Sequence, residues 1–370
     1  MTATFDDIRP YTDAELPAAM ARVAQWADLP QAIRFIYPDA DIRDMRERLR
    51  SITSVRQLQS TFMNDAIRRV VQTTTDGFTY GGLGHLHRSG TYLFVSNHRD
   101  ITLDAFLLQH LLLEHGFDTT HIVFGQNLIA SPVMADLFRS NKLISMERGG
   151  NPRAFYRSLV HLSQLINHLV VDEGQSLWIA QRNGRAKDGR DLTAPAMLKM
   201  LCLGSDKPPL PTLEALHLVP ISVSYEWDPC DTMKAMELYQ SSLGEYHKAP
   251  DEDFKSVLAG IIGRKGHVHM QIDAPLTPAE LVPSQGEDVF DHVASVLDRR
   301  IQQGYRLMPS NMAAWALLEG HPLDGFYDEQ TEASLLQRID ELPHPSMRRI
   351  MLEAYAAPVR AKCERKGQKD

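Results

Sequence analysis

The sequence predicts an α/β fold: a central, largely parallel mixed sheet flanked by helices, with helical additions at both ends. Three observations predict it. From about residue 76 short apolar runs alternate with helical patterns. Those runs are nearly continuous in apolar residues, as strands covered on both faces require. The stretches before residue 75 and after residue 305 carry helical spacing instead.

Taken in order, residues 1–75 read as a helical N-terminal region. Thr12 and Glu15 have capping-box spacing ahead of "LPAAMARVAQW", and "VRQLQSTFMNDAIRRVVQ" sets apolar residues at helical intervals with basic ones between them. That second helix either packs on the main domain or rests on lipid headgroups. Residues 76–305 read as the α/β domain. Its strand candidates are "FTYGGLGHL", "TYLFVS", "HIVFG", "KLISM", "SLWIAQ", "HLVPISVSY" and "HVHMQIDAPL". Helical patterns fall at Leu103–His115, Pro132–Ser140, Ala154–Val171, Ala194–Leu203 and Thr232–Gln240. Residues 306–370 return to helix in "NMAAWALLEG" and "EASLLQRIDEL" and end in a charged tail.

Composition narrows the function. The 370 residues carry a formal net charge of −8, so no general basic field gathers nucleic acid. The three cysteines, Cys202, Cys230 and Cys363, lack paired or metal-ligand spacing and fit a reducing cytosol. The acidic start "MTATFDDIRPYTDAEL" does not read as a signal peptide, and no apolar run nears the roughly 20 residues that span a bilayer.

The chemistry concentrates at "YLFVSNHRDITLDAFLL", where an apolar strand gives way to a leucine-rich helix. Ligands in parallel sheets sit beyond the carboxyl ends of strands, and His98 stands at such an end. A carboxylate one helical turn further on, Asp104, can hold one imidazole nitrogen and leave the other free to take a proton from a hydroxyl. Asp100 suits the cap of the following helix and is the alternative partner. His-x-Asp also occurs as a metal-ligand pair. The other strand ends, however, offer "MERGG" and "AQRNGRAKDGRD", rich in arginine and glycine, which suit an anion. There Arg148, Arg182, Arg185 and Lys187 supply charge, and Gly184 lets the backbone approach a phosphate.

The order of these pieces resembles the glycerolipid acyltransferase family, which includes bacterial glycerol-3-phosphate and 1-acylglycerol-3-phosphate acyltransferases. "SNHRDITLD" resembles its first motif, "NKLISMERGG" the second, ending at Arg148, and "AQRNGRAKDG" the third. "HLVPISVSY", with Pro220, resembles the fourth, and "YRLMPSN" is similar to a tail segment of one bacterial branch. The resemblance spans roughly residues 76 to 311. Two departures stand out. Five residues separate His98 from Asp104 where the family has four, so Leu103 takes the usual aspartate position. The glutamate of the third motif is missing, its place falling near Arg182-Asn183.

The resemblance implies acyl transfer from acyl-CoA or acyl carrier protein to a hydroxyl of a lysophospholipid or glycerol phosphate, without a cofactor or metal. His98 is then the base and Asp104 its orienter, while Arg148, Arg182, Gly184, Arg185, Lys187 and Pro220 line the acceptor site. It further implies peripheral attachment at the inner face of the cytoplasmic membrane. The alternatives are a non-catalytic lipid- or partner-binding relative, suggested by the missing glutamate, and a metal-dependent phosphohydrolase.

Overall fold

A computed structural model describes residues 4–129, 131–147, 151–249, 251–321 and 325–366. Its centre is a seven-stranded sheet: β1 Thr75–Gly81, β2 Leu93–Ser96, β3 His121–Gly125, β4 Leu143–Met146, β5 Leu177–Ala180, β6 Leu218–Tyr225 and β7 Gly266–Ile272. The strands lie in the order β1-β7-β6-β2-β5-β3-β4. All neighbours run parallel except β6 and β7. The expected mostly parallel mixed sheet with flanking and terminal helices is therefore the fold observed.

Every residue of β2 and of β6 is buried, which explains the apolar run of β2. In β6 Ser222 and Ser224 alternate with apolar residues, and their hydroxyls bond the Ile301 carbonyl and the Arg306 amide. Alternate side chains still serve opposite faces. Leu93 and Val95 pack with Leu162, Leu198 and Leu297 on one face. Phe94 packs with Leu108, Val219 and Met270 on the other. Two substantial helices of this region are not among those expected from the sequence. Glu252–Ile262 holds a helix-weakening glycine, Gly260, near its end, and Val289–Gly304 finishes in a polar run that blurs its apolar stripe.

The chain leaves β2 through the helix Leu103–Glu114, forms β3 and β4, then returns to set β5 beside β2 before crossing to β6 on its other side. The connections therefore part around β2, and the crevice of such a sheet opens at the carboxyl end of that strand.

The N-terminal helices bury a cluster of their own around Leu16, Met20, Met45, Leu58 and Phe62. At their start the helix begins at Leu16, one residue after Glu15. Glu15 reaches back to the Thr12 amide at 2.8 Å, but the Thr12 hydroxyl donates to that carboxylate rather than accepting from the helix. The Val55–Gln72 stretch is helical, with a π-turn at Gln59–Met63. Its apolar residues face inward, and Arg56 and Arg68 pair with Asp118 and Glu114. This helix packs on the protein and has no apolar face to lay on lipid. The C-terminal helices gather around Ala313, Leu335, Met351 and Tyr355. Among the described residues no helix is long and apolar enough to cross a membrane.

Leu297 is fully buried on the helix that covers the sheet at β6. Leu297→Ala leaves a cavity there and lowers unfolding free energy by about 2–5 kcal/mol, read from the denaturant midpoint at constant slope.

Candidate active site

The strand–turn–helix at residues 93–104 is held by polar contacts on each side. Asn97, buried just past β2, exchanges two hydrogen bonds with the Val223 backbone: its Oδ1 accepts from Val223 N at 2.7 Å and its Nδ2 donates to Val223 O at 3.0 Å. A side chain thus continues the β2–β6 ladder where the backbone turns away. The His98 carbonyl accepts from Ala186 N at 2.7 Å, tying the turn to the loop after β5. Asp100 is not the N-cap residue, which is Thr102. Its Oδ1 nevertheless accepts from the amides of Thr102 and Leu103, both at 2.8 Å, and so closes the turn onto the first helical amide as a cap from two residues further back.

That cap leaves Asp104 in the first helical turn, fully buried beneath His98. Its Oδ2 lies 2.9 Å from His98 Nδ1 and accepts from the amides of Arg99 at 2.6 Å and Asp100 at 3.0 Å. Its Oδ1 accepts from the Tyr225 hydroxyl at 2.9 Å. A buried carboxylate with this many donors is oriented rather than merely tolerated. Because Asp104 offers only acceptors there, His98 carries its neutral-state proton on Nδ1, and Nε2 is the basic nitrogen. Nε2 has no partner among the described residues. The ring is 13 % exposed and stands edge-on to Trp178, with centroids 5.9 Å apart.

The neighbouring groups are strongly perturbed. Burial, reinforced by the Asp104 charge, pushes the Tyr225 hydroxyl well above its usual range, so it remains a donor. Burial and then the proximity of Asp104 also raise Asp100. Arg99 is largely enclosed, its side chain 11 % exposed: its Nη2 donates to Asp191 at 2.7 Å and to the Gly189 carbonyl at 2.9 Å. Its guanidinium sits 5.4 Å from the Tyr305 ring centroid.

The expected anion-binding residues separate into groups. Arg148 lies outside the described residues. Arg182 is half-buried in the loop after β5, with no partner among the described residues. Gly184 adopts φ +78° with open space around its α-carbon, a conformation that favours glycine. Lys187 is partly exposed and paired with Glu237. These three share the sheet edge with His98. Arg185 instead turns inward: only 8 % exposed, it donates through Nη2 to Ser256 Oγ at 3.0 Å. Pro220 is buried within β6 opposite Val95, below the edge. Among the described residues the one cluster with metal-ligand spacing is Asp76, Glu226 and His267, whose donor atoms lie within 4.8 Å of one another. It sits on β1, β7 and the exit of β6 and does not include His98.

Residues 77–198 match the family model described as Acyltransferase. The chain carries an acyltransferase-family domain. The match runs from β1 into the helix Pro195–Cys202 and includes His98, Asp104 and the loop of Arg182 to Lys187. No curated protein matches this chain in sequence. Among solved structures, it is similar to the crystal structure of the 1-acyl-sn-glycerophosphate (LPA) acyltransferase PlsC from Thermotoga maritima. That similarity is 14% identity and a TM-score of 0.38, covering 78% of this chain and 94% of the other.

Several residues around the His98–Asp104 pair were not anticipated from the sequence. Tyr225 ends an apolar strand, and only its tyrosine hydroxyl hinted at a polar partner. Trp178 lies within the strand candidate "SLWIAQ" and Arg99 within "SNHRDITLD", and neither was singled out. Asp191 was noticed only as part of a charged loop. Tyr225→Phe removes one donor from a buried carboxylate and lowers unfolding free energy by about 1–3 kcal/mol, measured by denaturant titration.

Proposed function

We propose that this acyltransferase domain moves a fatty acyl group from acyl-CoA or acyl carrier protein to a hydroxyl of a phosphorylated glycerolipid, with 1-acylglycerol-3-phosphate as the acceptor. The observation that carries the reading is the His98–Asp104 pair: a half-buried imidazole held through Nδ1 by a fully buried carboxylate, with Nε2 free at the sheet's carboxyl edge. His98 Nε2 takes the acceptor's proton as its oxygen attacks the thioester carbonyl. The tetrahedral intermediate collapses with cleavage of the carbon–sulfur bond, and the proton passes from His98 to the leaving thiolate. Asp104 fixes the ring and offsets the imidazolium charge while it lasts. The step calls for neither a metal nor a covalent enzyme intermediate.

Arg182, Lys187 and the open backbone at Gly184 receive the acceptor phosphate in this reading, and Arg148, on the evidence of its motif alone, joins them. Pro220 acts beneath them, shaping β6 beside the turn. Residues 1–75 and 306–370 act as helical additions to a domain spanning 76–305; the N-terminal apolar cluster supports that division, while the C-terminal one also takes in Trp227 and Ala235 of the domain. The lipid acceptor places the protein peripherally at the cytoplasmic face of the membrane. A non-catalytic lipid-binding role gains support from one observation, the neutral, exposed Asn183 where the third motif of the family has glutamate.

Thiol release from acyl-CoA, with lysophosphatidate, glycerol 3-phosphate and neutral lysolipids as acceptors, separates these readings. His98→Ala abolishes release at unchanged circular dichroism; a folded variant that retains activity sinks the mechanism. Asp104→Asn lowers turnover by roughly 10²–10⁴-fold, whereas Asp100→Asn, which keeps the capping oxygen, has the smaller effect. The reverse ranking would reassign the orienting carboxylate. Lysolipid binding without thiol release identifies the non-catalytic relative.

A further inference from the structure

The arginine of the third motif faces the protein interior, and its surroundings explain what it does there. Arg185 uses Nη2 on Ser256 Oγ, while its Nη1 is buried without a partner. Asp100, 2 % exposed, spends Oδ1 on the Thr102 and Leu103 amides, and its Oδ2 is likewise buried and unpartnered. One helix touches both. Glu252–Ile262 presents Ser256 to Arg185 and, one turn later, Gly260 to Asp100. A Cβ on Gly260 would stand 2.3 Å from Asp100 Oδ2, so only glycine lets the helix lie this close. Cys230 Sγ contacts the Ser256 carbonyl at 3.5 Å from the other side.

Charge in this compartment is unevenly distributed. Asp100 and Asp104 are both buried, and Asp104 already holds His98 and Tyr225. Asp228 is paired with Lys234, whose ammonium also donates to the Arg99 carbonyl at 2.7 Å. Lys265, almost fully buried, spends its ammonium on Thr74 Oγ1 at 2.8 Å and the Gly263 carbonyl at 2.6 Å. Arg99, whose Nε is also unpartnered, is committed to Asp191, and Lys265 is held by two oxygens. Arg185, with no carboxylate partner and Nη1 without a hydrogen bond, is the least committed cation in the compartment that holds Asp100 Oδ2.

We propose that Arg185 is a positioning residue: it balances the buried charge of Asp100 and, through Ser256, seats the helix Glu252–Ile262 on the turn that aims Asp104 at His98. A guanidinium this enclosed cannot present its fork to an acceptor phosphate unless that helix lifts away. The catalytic part of the proposal rests on the reading of His98 and Asp104 given above; the charge balance does not.

A double-mutant cycle on the full chain tests both parts, with Arg185→Gln and Asp100→Asn, each close to its parent in size. Arg185→Gln lowers Tm and lowers kcat by on the order of 10²-fold, with acceptor KM essentially unchanged. Adding Asp100→Asn restores a large part of both, because no charge is left uncompensated. Arg185→Lys keeps the cation and stays closer to the parent than the glutamine variant, which covers poor folding of the latter. A raised acceptor KM at intact kcat and Tm would overturn the proposal in favour of a phosphate ligand. Additive Tm losses, with no rescue, would overturn the charge balance. The Tm cycle needs no substrate, so a protein that releases no thiol disproves the acyl-transfer reading while still deciding whether Arg185 answers Asp100.

Discussion

The carboxylate of Asp104 is the group around which the site is organised. It is fully buried, and an ionised carboxyl is tolerated there only if donors surround it. Four do: an imidazole, two successive backbone amides and a tyrosine hydroxyl. Each comes from a different structural decision. The amides exist because the chain turns sharply after β2. The hydroxyl is in place because β6 lies directly beside β2 and ends at Tyr225. His98 is in reach because the helix starts only after Asp100 has closed the turn.

The elements outside the matched stretch of residues 77–198 bear on the same group. Tyr225 follows from the strand that carries Pro220, and Tyr305 stacks on Arg99, whose amide feeds Asp104. Arg99 is in turn pinned to Asp191, and Asp191 also accepts from Asn97 at 3.2 Å. The turn is therefore gripped from the loop after β5, from β6 and from the chain beyond residue 304. Displacing any of these shifts the direction in which Asp104 points, and with it the His98 ring.

Much of this was legible before the fold was known. Strands β2 to β6 follow from their apolar cores, because a sheet covered on both faces permits little else in its middle, whereas β1 and β7, toward the open edge, are only partly buried and carry polar residues. The nearness of His98 to Asp104 follows from a strand end and one helical turn. What could not be read was the direction of the arginines. Arg182 and Arg185 sit three residues apart among the same glycines, yet one stays half-buried at the edge and the other goes inside. The difference comes from Glu252–Ile262, some 70 positions later in the chain. Local sequence carries no trace of which arginine a distant helix will cover.

The extra residue between His98 and Asp104 has a geometric consequence. Neighbouring positions on a helix point about 100° apart, so only one of residues 103 and 104 can face the turn. Leu103 is buried in the apolar cluster with Leu107 and Leu108, and Asp104 takes the polar side. With Asp100 closing it, however, the longer turn brings a second carboxyl into the same enclosed space, its amide 3.0 Å from the first carboxylate. Two buried carboxyls that close repel unless one is protonated or a cation stands nearby. Burial pushes Asp100 toward its neutral form, and an arginine inside the domain, where a surface phosphate ligand was expected, is the countercharge proposed for it when it ionises.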